Sequence, residues 1–352
     1  MSDSEATSDH DVLLAIESTC DETAAAVVTR SGEVLGQCVA TQDKLHERFG
    51  GVVPEIAARA HLERVLPVID QTLTDSRVAA ERLAAIAVAD RPGLAGSLLV
   101  GVVAAKMLAL VWQKPLVAIN HLQAHLHACR WCTDAPDEMY PAVGLIVSGG
   151  HTSLYRCNSP IDLQYLGGTI DDAAGEAFDK VGAMLGLGFP GGVAVSRLAA
   201  QGDPQTFGYP RPKLRDDDFD FSFSGLKTAV RYSLTGPGRH PLEPDQLSAE
   251  TKANVCASFE AAIVDVLTAK CRRAILTTDC QVLLIGGGVA ANPALRRSLQ
   301  QAAETDGFQL LIAPPELCTD NAVMGALAWH HLDRGETASL DLDITAGLQR
   351  GY

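Results

Sequence analysis

Three side chains stand out for the chemistry that their types allow. His121 and His125 lie four apart in N-H-L-Q-A-H-L-H, and Asp320 lies in C-T-D-N, far along the chain. On a helix, positions four apart share a face, so the two imidazoles can converge on one point. Two nitrogens and one carboxylate leave coordination positions open, as a catalytic iron or zinc requires and a closed structural site does not. Plainer uses compete with this one. With 10 histidines in the chain, such a pair can arise from composition alone, and Thr319-Asp320-Asn321 can simply cap a helix.

Each of these residues needs an element to hold it. Residues 12–16 form a short apolar run, E-S-T-C-D-E-T a polar loop, and 24–28 a second run, with Ser31-Gly32-Glu33 turning into a third strand. Pro54 opens a helical segment to about Thr74, with Ile56, Ala60, Val65, Ile69 and Leu73 at near-helical spacing. A buried strand over 83–88, a long apolar helix over 94–112 and a strand over 116–119 lead into the histidine helix. The pattern then restarts with a strand over 142–147, the loop S-G-G-H-T and a returning strand over 153–156. Helices are expected from about Asp171 and from Gly192, then a loop-rich stretch over 202–246 and a long helix over 248–277. A strand over 282–285 runs into G-G-G-V-A-A-N-P and a helix, followed by a strand over 309–312 and a last helix after Thr319.

Two halves that each begin strand–polar hairpin–strand and end in alternating strands and helices amount to a duplication of architecture. The expectation is an α/β protein of two mixed-sheet lobes, 12–131 and 142–335, facing a central cleft, with a disordered extension over 1–11 and a tail over 336–352.

Composition agrees with this and narrows the function. At 352 residues the chain is long for a single core, and its 31 glycines with only 5% aromatic residues fit an α/β protein rich in tight turns. A net charge of −15 argues against a general electrostatic affinity for nucleic acid, so an RNA substrate would need a local basic patch or a partner. Nine cysteines, an odd number without secreted spacing, read as reduced thiols of a cytosolic protein. Cys129 and Cys132, in C-R-W-C, point only weakly to a second metal or redox site and fit coincidence better. The acidic first eleven residues make neither a secretory signal nor a transit peptide. The one membrane-like stretch, 94–112, is interrupted by Lys106 and diluted by Gly96, Ser97 and Gly101, so it reads as a buried core helix and no membrane is expected.

Two loops have the make-up of ligand cradles. Ser148-Gly149-Gly150 follows a strand, and its glycines let backbone N–H groups approach an anion; an ordinary hairpin turn uses the same residues. Gly286-Gly287-Gly288 follows a second buried strand and precedes a helix near Asn292-Pro293, a common nucleotide cradle, though without dinucleotide or Walker spacing. The acidic stretch Asp171 to Lys180 reads as a helix with Asp172, Glu176 and Asp179 on one face. Helix-dipole complementarity explains Asp171 and Asp172 but not Asp179, which is expected in the pocket, accepting hydrogen bonds from substrate hydroxyls.

E-S-T-C-D-E-T, G-G-V-V-P-E at 50–55, H-L-Q-A-H, V-S-G-G-H-T, D-D-A-A-G-E-A-F-D-K, F-S-F-S-G-L-K at 221–227, G-G-G-V-A-A-N and C-T-D-N follow one another over almost the whole chain. With these motifs in this order, the chain closely resembles the bacterial tRNA N(6)-adenosine threonylcarbamoyltransferase family (TsaD), once called O-sialoglycoprotein endopeptidase. The resemblance implies the duplicated actin/Hsp70/sugar-kinase-like (ASKHA) fold. It implies one divalent metal ion, Fe(2+) first and Zn(2+) as alternative, on His121, His125 and Asp320. The substrate residues it implies are Ile146, Val147, Ser148, Gly149, Gly150, Asp179, Gly192 and Asn292. His151 matches the bacterial and mitochondrial branch. Three positions depart from the family pattern: Gln123 stands for the Glu of H-x-E-x-H, Arg91 for a glycine before Pro92-Gly93-Leu94, and Val193 for a frequent proline.

The implied reaction moves a threonylcarbamoyl group from threonylcarbamoyl-AMP to the exocyclic amine of the adenosine following the anticodon, in tRNAs reading codons that start with A. Its donor is already an activated anhydride, so the protein must chiefly position it and stabilise charge. Asp21 and Glu22 are candidate bases for the weakly nucleophilic adenine amine, and Arg211, Lys213, Arg215 and Lys227 candidate phosphate contacts. The expected partners are tRNA, a paralogous subunit of the same fold (TsaB-like) and a small P-loop ATPase (TsaE-like), in the cytoplasm. Competing readings are a glycoprotein metallopeptidase and a non-catalytic nucleotide-binding scaffold; against the first, the histidines lack the adjacent Glu of H-E-x-x-H.

Overall fold

The structure, a computed structural model, describes residues 11–133, 135–136, 138–235 and 243–347; apart from Asp11, the expected N-terminal extension lies outside them. Apolar alternation builds the first sheet. Strands β1 (Val12–Glu17), β2 (Glu22–Thr29) and β3 (Val34–Thr41) pair antiparallel in sequence, and β4 (Leu83–Arg91) and β5 (Leu116–Asn120) add in parallel, in the order β3-β2-β1-β4-β5. Val12, Leu14 and Ile16 face one side and Leu13 and Ala15 the other, and both sides are buried, which is why β1 reads as a continuous apolar run.

The second sheet contains β6 (Ala142–Val147), β7 (Thr152–Ser159), β8 (Asp162–Gly168), β9 (Val282–Gly286) and β10 (Gln309–Ile312), in the order β10-β9-β6-β7-β8. β6–β7 and β7–β8 are antiparallel, β6–β9 and β9–β10 parallel. Strand for strand this repeats the first sheet, so the duplication expected from the pattern of elements holds at the level of topology.

The helices are α1 (Asp43–His46), α2 (Pro54–Ser76), α3 (Ala95–Trp112), α4 (His121–His127), α5 (Ala174–Met184), α6 (Gly191–Ala199), α7 (Ser224–Ser233), α8 (Ala249–Thr278), α9 (Pro293–Asp306), α10 (Pro315–Cys318) and α11 (Ala328–Asp333). Helices α2 and α3 cover the outer face of the first sheet, through Val65, Val68 and Ile69 on one and Val102, Ala105 and Ala109 on the other. Its inner face is lined by small residues, Ala15, Ala24, Ala26, Ala85 and Ala87, in one continuous core with α4, the 3-10 turn Val323–Leu327 and the second sheet. The end of the chain thus returns to the first sheet. Arg30 pairs with Asp333 at 2.5 Å, Ala338 bridges Leu116, and Lys106 donates to the Leu342 carbonyl at 2.6 Å.

Five expectations need correction. Helix α5 begins at Ala174; ahead of it Asp171 binds the Phe223 N–H, and Asp172 pairs with Lys227 as well as with Lys180 of α5. The stretch 202–246 contains α7, anchored by Phe221, Phe223, Leu226 and Val230, although its residues 236–242 lie outside those described. Strand β8 is an unexpected edge strand, with Leu163 and Tyr165 alternating against polar neighbours. The last helix is split into a 3-10 turn and α11. Finally, α3 is no core helix: a third of it is buried, and Leu99, Val103, Met107, Leu110 and Val111 are exposed.

Candidate metal centre and cleft

Both histidines come from α4, which starts where β5 ends. The Asn120 side chain accepts hydrogen bonds from the N–H groups of Leu122 (2.8 Å) and Gln123 (3.4 Å), capping α4 and fixing the entry of His121. Asp320 lies just before the turn that packs on the first sheet. Competition between capping and ligation is resolved there by its neighbour: Asn321 accepts from the Met324 N–H and donates to the carbonyls of Leu317 and Thr319, leaving Asp320 free to face the histidines.

Asp320 Oδ1 is 3.0 Å from His125 Nε2 and 3.5 Å from His121 Nε2, and the rings stand 4.5 Å apart, nearly perpendicular. One ligand atom from each of the three residues lies within 4.8 Å of the others. Both imidazoles are buried. The Nδ1 of His121 faces Glu17 Oε2 at 3.1 Å and Thr19 Oγ1 at 3.2 Å, whereas the buried Nδ1 of His125 has no hydrogen-bond partner among the described residues. The donor set fits a divalent transition metal, with two ring nitrogens and a carboxylate oxygen converging and further positions open.

Burial opposes a charge on His121, but the carboxylates of Glu17 and Asp320, with the Glu17 hydrogen bond, hold its imidazole up at about 9. Burial likewise pushes Asp320 up, and the charges of His121 and His125 with the His125 hydrogen bond more than reverse it, holding the carboxyl well below the usual range. His151 follows the other direction. Burial and the two neighbouring histidines push it down to about 4, so it stays neutral at the rim of the site.

The glycine-rich loops open beside this cluster. Ser148 N–H donates to the His151 carbonyl at 2.7 Å, closing the β6–β7 hairpin, and Gly149 and Gly150 face open space. Gly287, at the end of β9, has a φ of +98°, and a methyl group on it would sit 2.5 Å from the Val147 carbonyl. The Gly287 turn therefore abuts the end of β6, from which the Ser148 loop springs. Ile146 and Val147 are fully buried in β6, behind the loop that they lead into.

Asp179 receives N–H groups from Gly191 (2.8 Å) and Gly192 (3.2 Å) on one oxygen. Burial pushes its carboxyl up, those N–H groups pull it down, and the charge of Asp21 from the first lobe pushes it up. Asn292 is occupied internally: its oxygen caps α9 through the Leu295 N–H, and its amide donates to Glu260 (2.6 Å) and Ser196 (3.2 Å). Asp21 and Glu22 join Asp43 in an acidic group with oxygens within 4.8 Å. Burial, Asp320 and Asp21 together push Glu22 up to about 10.

The departures from the family pattern leave the cluster intact. Gln123 donates to the Ile161 carbonyl at 3.2 Å in the second lobe, and Arg91 pairs with Asp90 at 2.8 Å. Val193 is exposed at the start of α6. Three of the four candidate phosphate contacts are engaged: Arg211 with Asp265, Lys213 with Asp216 and Asp218, Lys227 with Asp172. Sequence reasoning missed Glu17, whose single letter in E-S-T-C-D-E-T carries no signal until β1 is set beside α4.

Two sheets of one topology and a His-His-Asp cluster at the helix that links them define a duplicated actin-like protein with a candidate metal centre. Solved structures of this architecture agree. The (R)-2-hydroxyglutaryl-CoA dehydratase component A of Acidaminococcus fermentans matches with a TM-score of 0.52 over 92% of this chain and 99% of its own, at 13% identity. HypF from T. kodakarensis matches with a TM-score of 0.59 over 92% of this chain and 48% of its own, at 11% identity. A family model described as TsaD, tRNA N6-adenosine threonylcarbamoyltransferase, matches residues 33–327, and the chain belongs to that family. Proteins named tRNA N6-adenosine threonylcarbamoyltransferase are 65% identical over 351 residues in Rhodopirellula baltica (97% of this chain, 98% of the relative) and 49% identical over 333 residues in a Geobacter species (94% of each).

Proposed function

We infer that the cleft transfers the threonylcarbamoyl group from threonylcarbamoyl-AMP to the exocyclic amine of the adenosine 3′ of the anticodon in tRNAs reading codons that start with A. The observation that carries this reading is the convergence of His121, His125 and Asp320 beside glycine-rich turns at the ends of the neighbouring strands β6 and β9, in a chain of the transferase family. The three side chains would hold one divalent ion, iron first and zinc second. When bound it supplies Lewis-acid polarisation of phosphate or carbamoyl oxygens.

The remaining work falls to the chain's own groups. The exposed backbone of Gly149 and Gly150, presented by the Ser148 turn, is open to the adenylate, and the second oxygen of Asp179 to its hydroxyls. Asn292 acts through α9, which it caps, and Gly192 through its hold on Asp179. The two first-lobe carboxylates, Asp21 and Glu22, lie side by side and are the groups to take the amine proton. A peptidase reading finds no support, since Leu122 stands beside His121 where the H-E-x-x-H signature has its glutamate.

The cytoplasm suits this reaction, as do a TsaB-like paralogous subunit and a TsaE-like ATPase. Exposed rows on α2 (Leu62, Leu66) and α3 (Leu99, Val103, Met107, Leu110), each near helical repeat, support a docking face for a subunit of the same fold. The test is reconstitution: purified chain, partners, threonylcarbamoyl-AMP and unmodified tRNA, followed by digestion and mass analysis of the nucleosides. Adenosine gaining the threonylcarbamoyl mass is the expected result; unmodified adenosine under saturating substrate would overturn the reading.

A further inference from the structure

Glu17 closes β1 and is 2% exposed, so its carboxylate must be compensated inside the protein. One oxygen is accounted for by the Thr19 N–H, 2.6 Å from Oε1. The other, Oε2, lies 3.1 Å from His121 Nδ1, and Thr19 Oγ1 is 3.2 Å from the same nitrogen. An ionised carboxylate only accepts hydrogen bonds, and a neutral imidazole has one N–H and one lone pair. A proton drawn to Nδ1 leaves the lone pair on Nε2, the nitrogen facing Asp320 at 3.5 Å. His125 has no such device among the described residues, its Nδ1 being buried without a partner.

We propose that Glu17 is a positioning residue for the metal centre: its Oε2 keeps the proton of His121 on Nδ1 and so presents the Nε2 lone pair to the ion shared with His125 and Asp320. This rests on the metal reading given above. A carboxylate behind a metal-bound imidazole fixes the ring's orientation and makes its ligating nitrogen more basic, and such outer partners change metal affinity about 10–100-fold. The same side chain holds the Thr19 turn that leads into Cys20, Asp21 and Glu22, so one carboxylate ties the metal ligand to the acidic loop.

A purely structural Glu17 would act through Thr19 alone, and the Gln variant separates the two roles. In Glu17→Gln the amide oxygen can keep the Thr19 N–H, but the amide nitrogen cannot accept from His121. Zinc affinity is measured by chelator competition on wild type, Glu17→Gln and Glu17→Ala, alongside urea unfolding of the zinc-free forms. The expected result is zinc binding by wild type, about 10–100-fold weaker binding by Glu17→Gln, and zinc-free unfolding still cooperative. Equal affinities for wild type and Glu17→Gln overturn the inference alone; wild type that binds no zinc overturns it together with the metal reading. Because a Glu17 variant can fail to fold, zinc-loaded wild type labelled with 15N-histidine gives an independent readout. The His121 signal, assigned by its loss in His121→Gln, should show the proton on Nδ1; a proton on Nε2 would overturn the inference.

Discussion

His121 sits between Glu17 and Asp320, and in the metal-free protein those carboxylates favour its charged form despite burial. Its folded value of about 9 lies above the ordinary 6.5, so the ion pair stabilises the fold fully below pH 6.5 and is lost as pH rises through about 9. Urea unfolding of the metal-free protein should therefore weaken across that window, and His121→Gln should flatten the profile. Metal and proton compete for the same nitrogen, so metal affinity should climb over the same range. Asp320→Ala removes the carboxylate that both histidines face. Metal content should fall below one tenth of wild type and threonylcarbamoyl transfer by at least about 100-fold, measured by elemental analysis and nucleoside mass. Unchanged transfer by Asp320→Ala would leave the chain a scaffold rather than the catalyst.

Helices around the site are held by polar side chains at their ends, α4 by Asn120 among them. Asp171 is the clearest case: it accepts from the N–H groups of Phe223 and Ser224 and from the hydroxyls of Ser222 and Ser224, capping α7. Asp171→Ala should cost about 1–2 kcal/mol of stability, read by chemical unfolding, with faster amide exchange concentrated in α7. At the other end of that segment, Gly175 in the first turn of α5 packs on the cradle loop. A methyl group there would lie 2.6 Å from the Ser148 carbonyl and 2.8 Å from Gly149. Gly175→Val should raise KM for threonylcarbamoyl-AMP several-fold while metal affinity stays at the wild-type value. A lowered metal affinity would show that the loop and the metal centre do not behave as separate parts.

At the scale of the molecule, the acidic chain and the apolar rows on α2 and α3 have one consequence each. With a net charge of −15 and most candidate basic contacts already paired, the isolated chain should bind tRNA weakly at physiological salt, and binding should tighten when the partner subunits are added. A filter-binding or fluorescence titration checks this, and tight binding by the chain alone would refute it. Leu66→Glu combined with Val103→Glu should abolish association with the paralogous subunit in sedimentation experiments. Both side chains are already exposed, so thermal stability of the isolated chain should stay within about 0.5 kcal/mol of wild type.

Period and punctuation in the letters were enough for most strands and helices (β8 and α7 excepted), the duplication, the His-His-Asp cluster and the two glycine loops, because apolar alternation, caps and tight turns are local properties. What distant packing decides was not legible. Asp171 and Asp172 look like the first turn of a helix, yet they bind α7 residues and Lys227 from about fifty positions away. An apolar α3 reads as core by composition, but composition says nothing of whether a second layer covers its outer face. Asn292 looks available to a ligand, and only Glu260 on the neighbouring helix shows that its amide is taken. Glu17 is the sharpest instance. A strand's last carboxylate acquires meaning when β1 and α4 come side by side, since a 3.1 Å contact between residues 104 apart follows from tertiary packing rather than from any local preference of either segment.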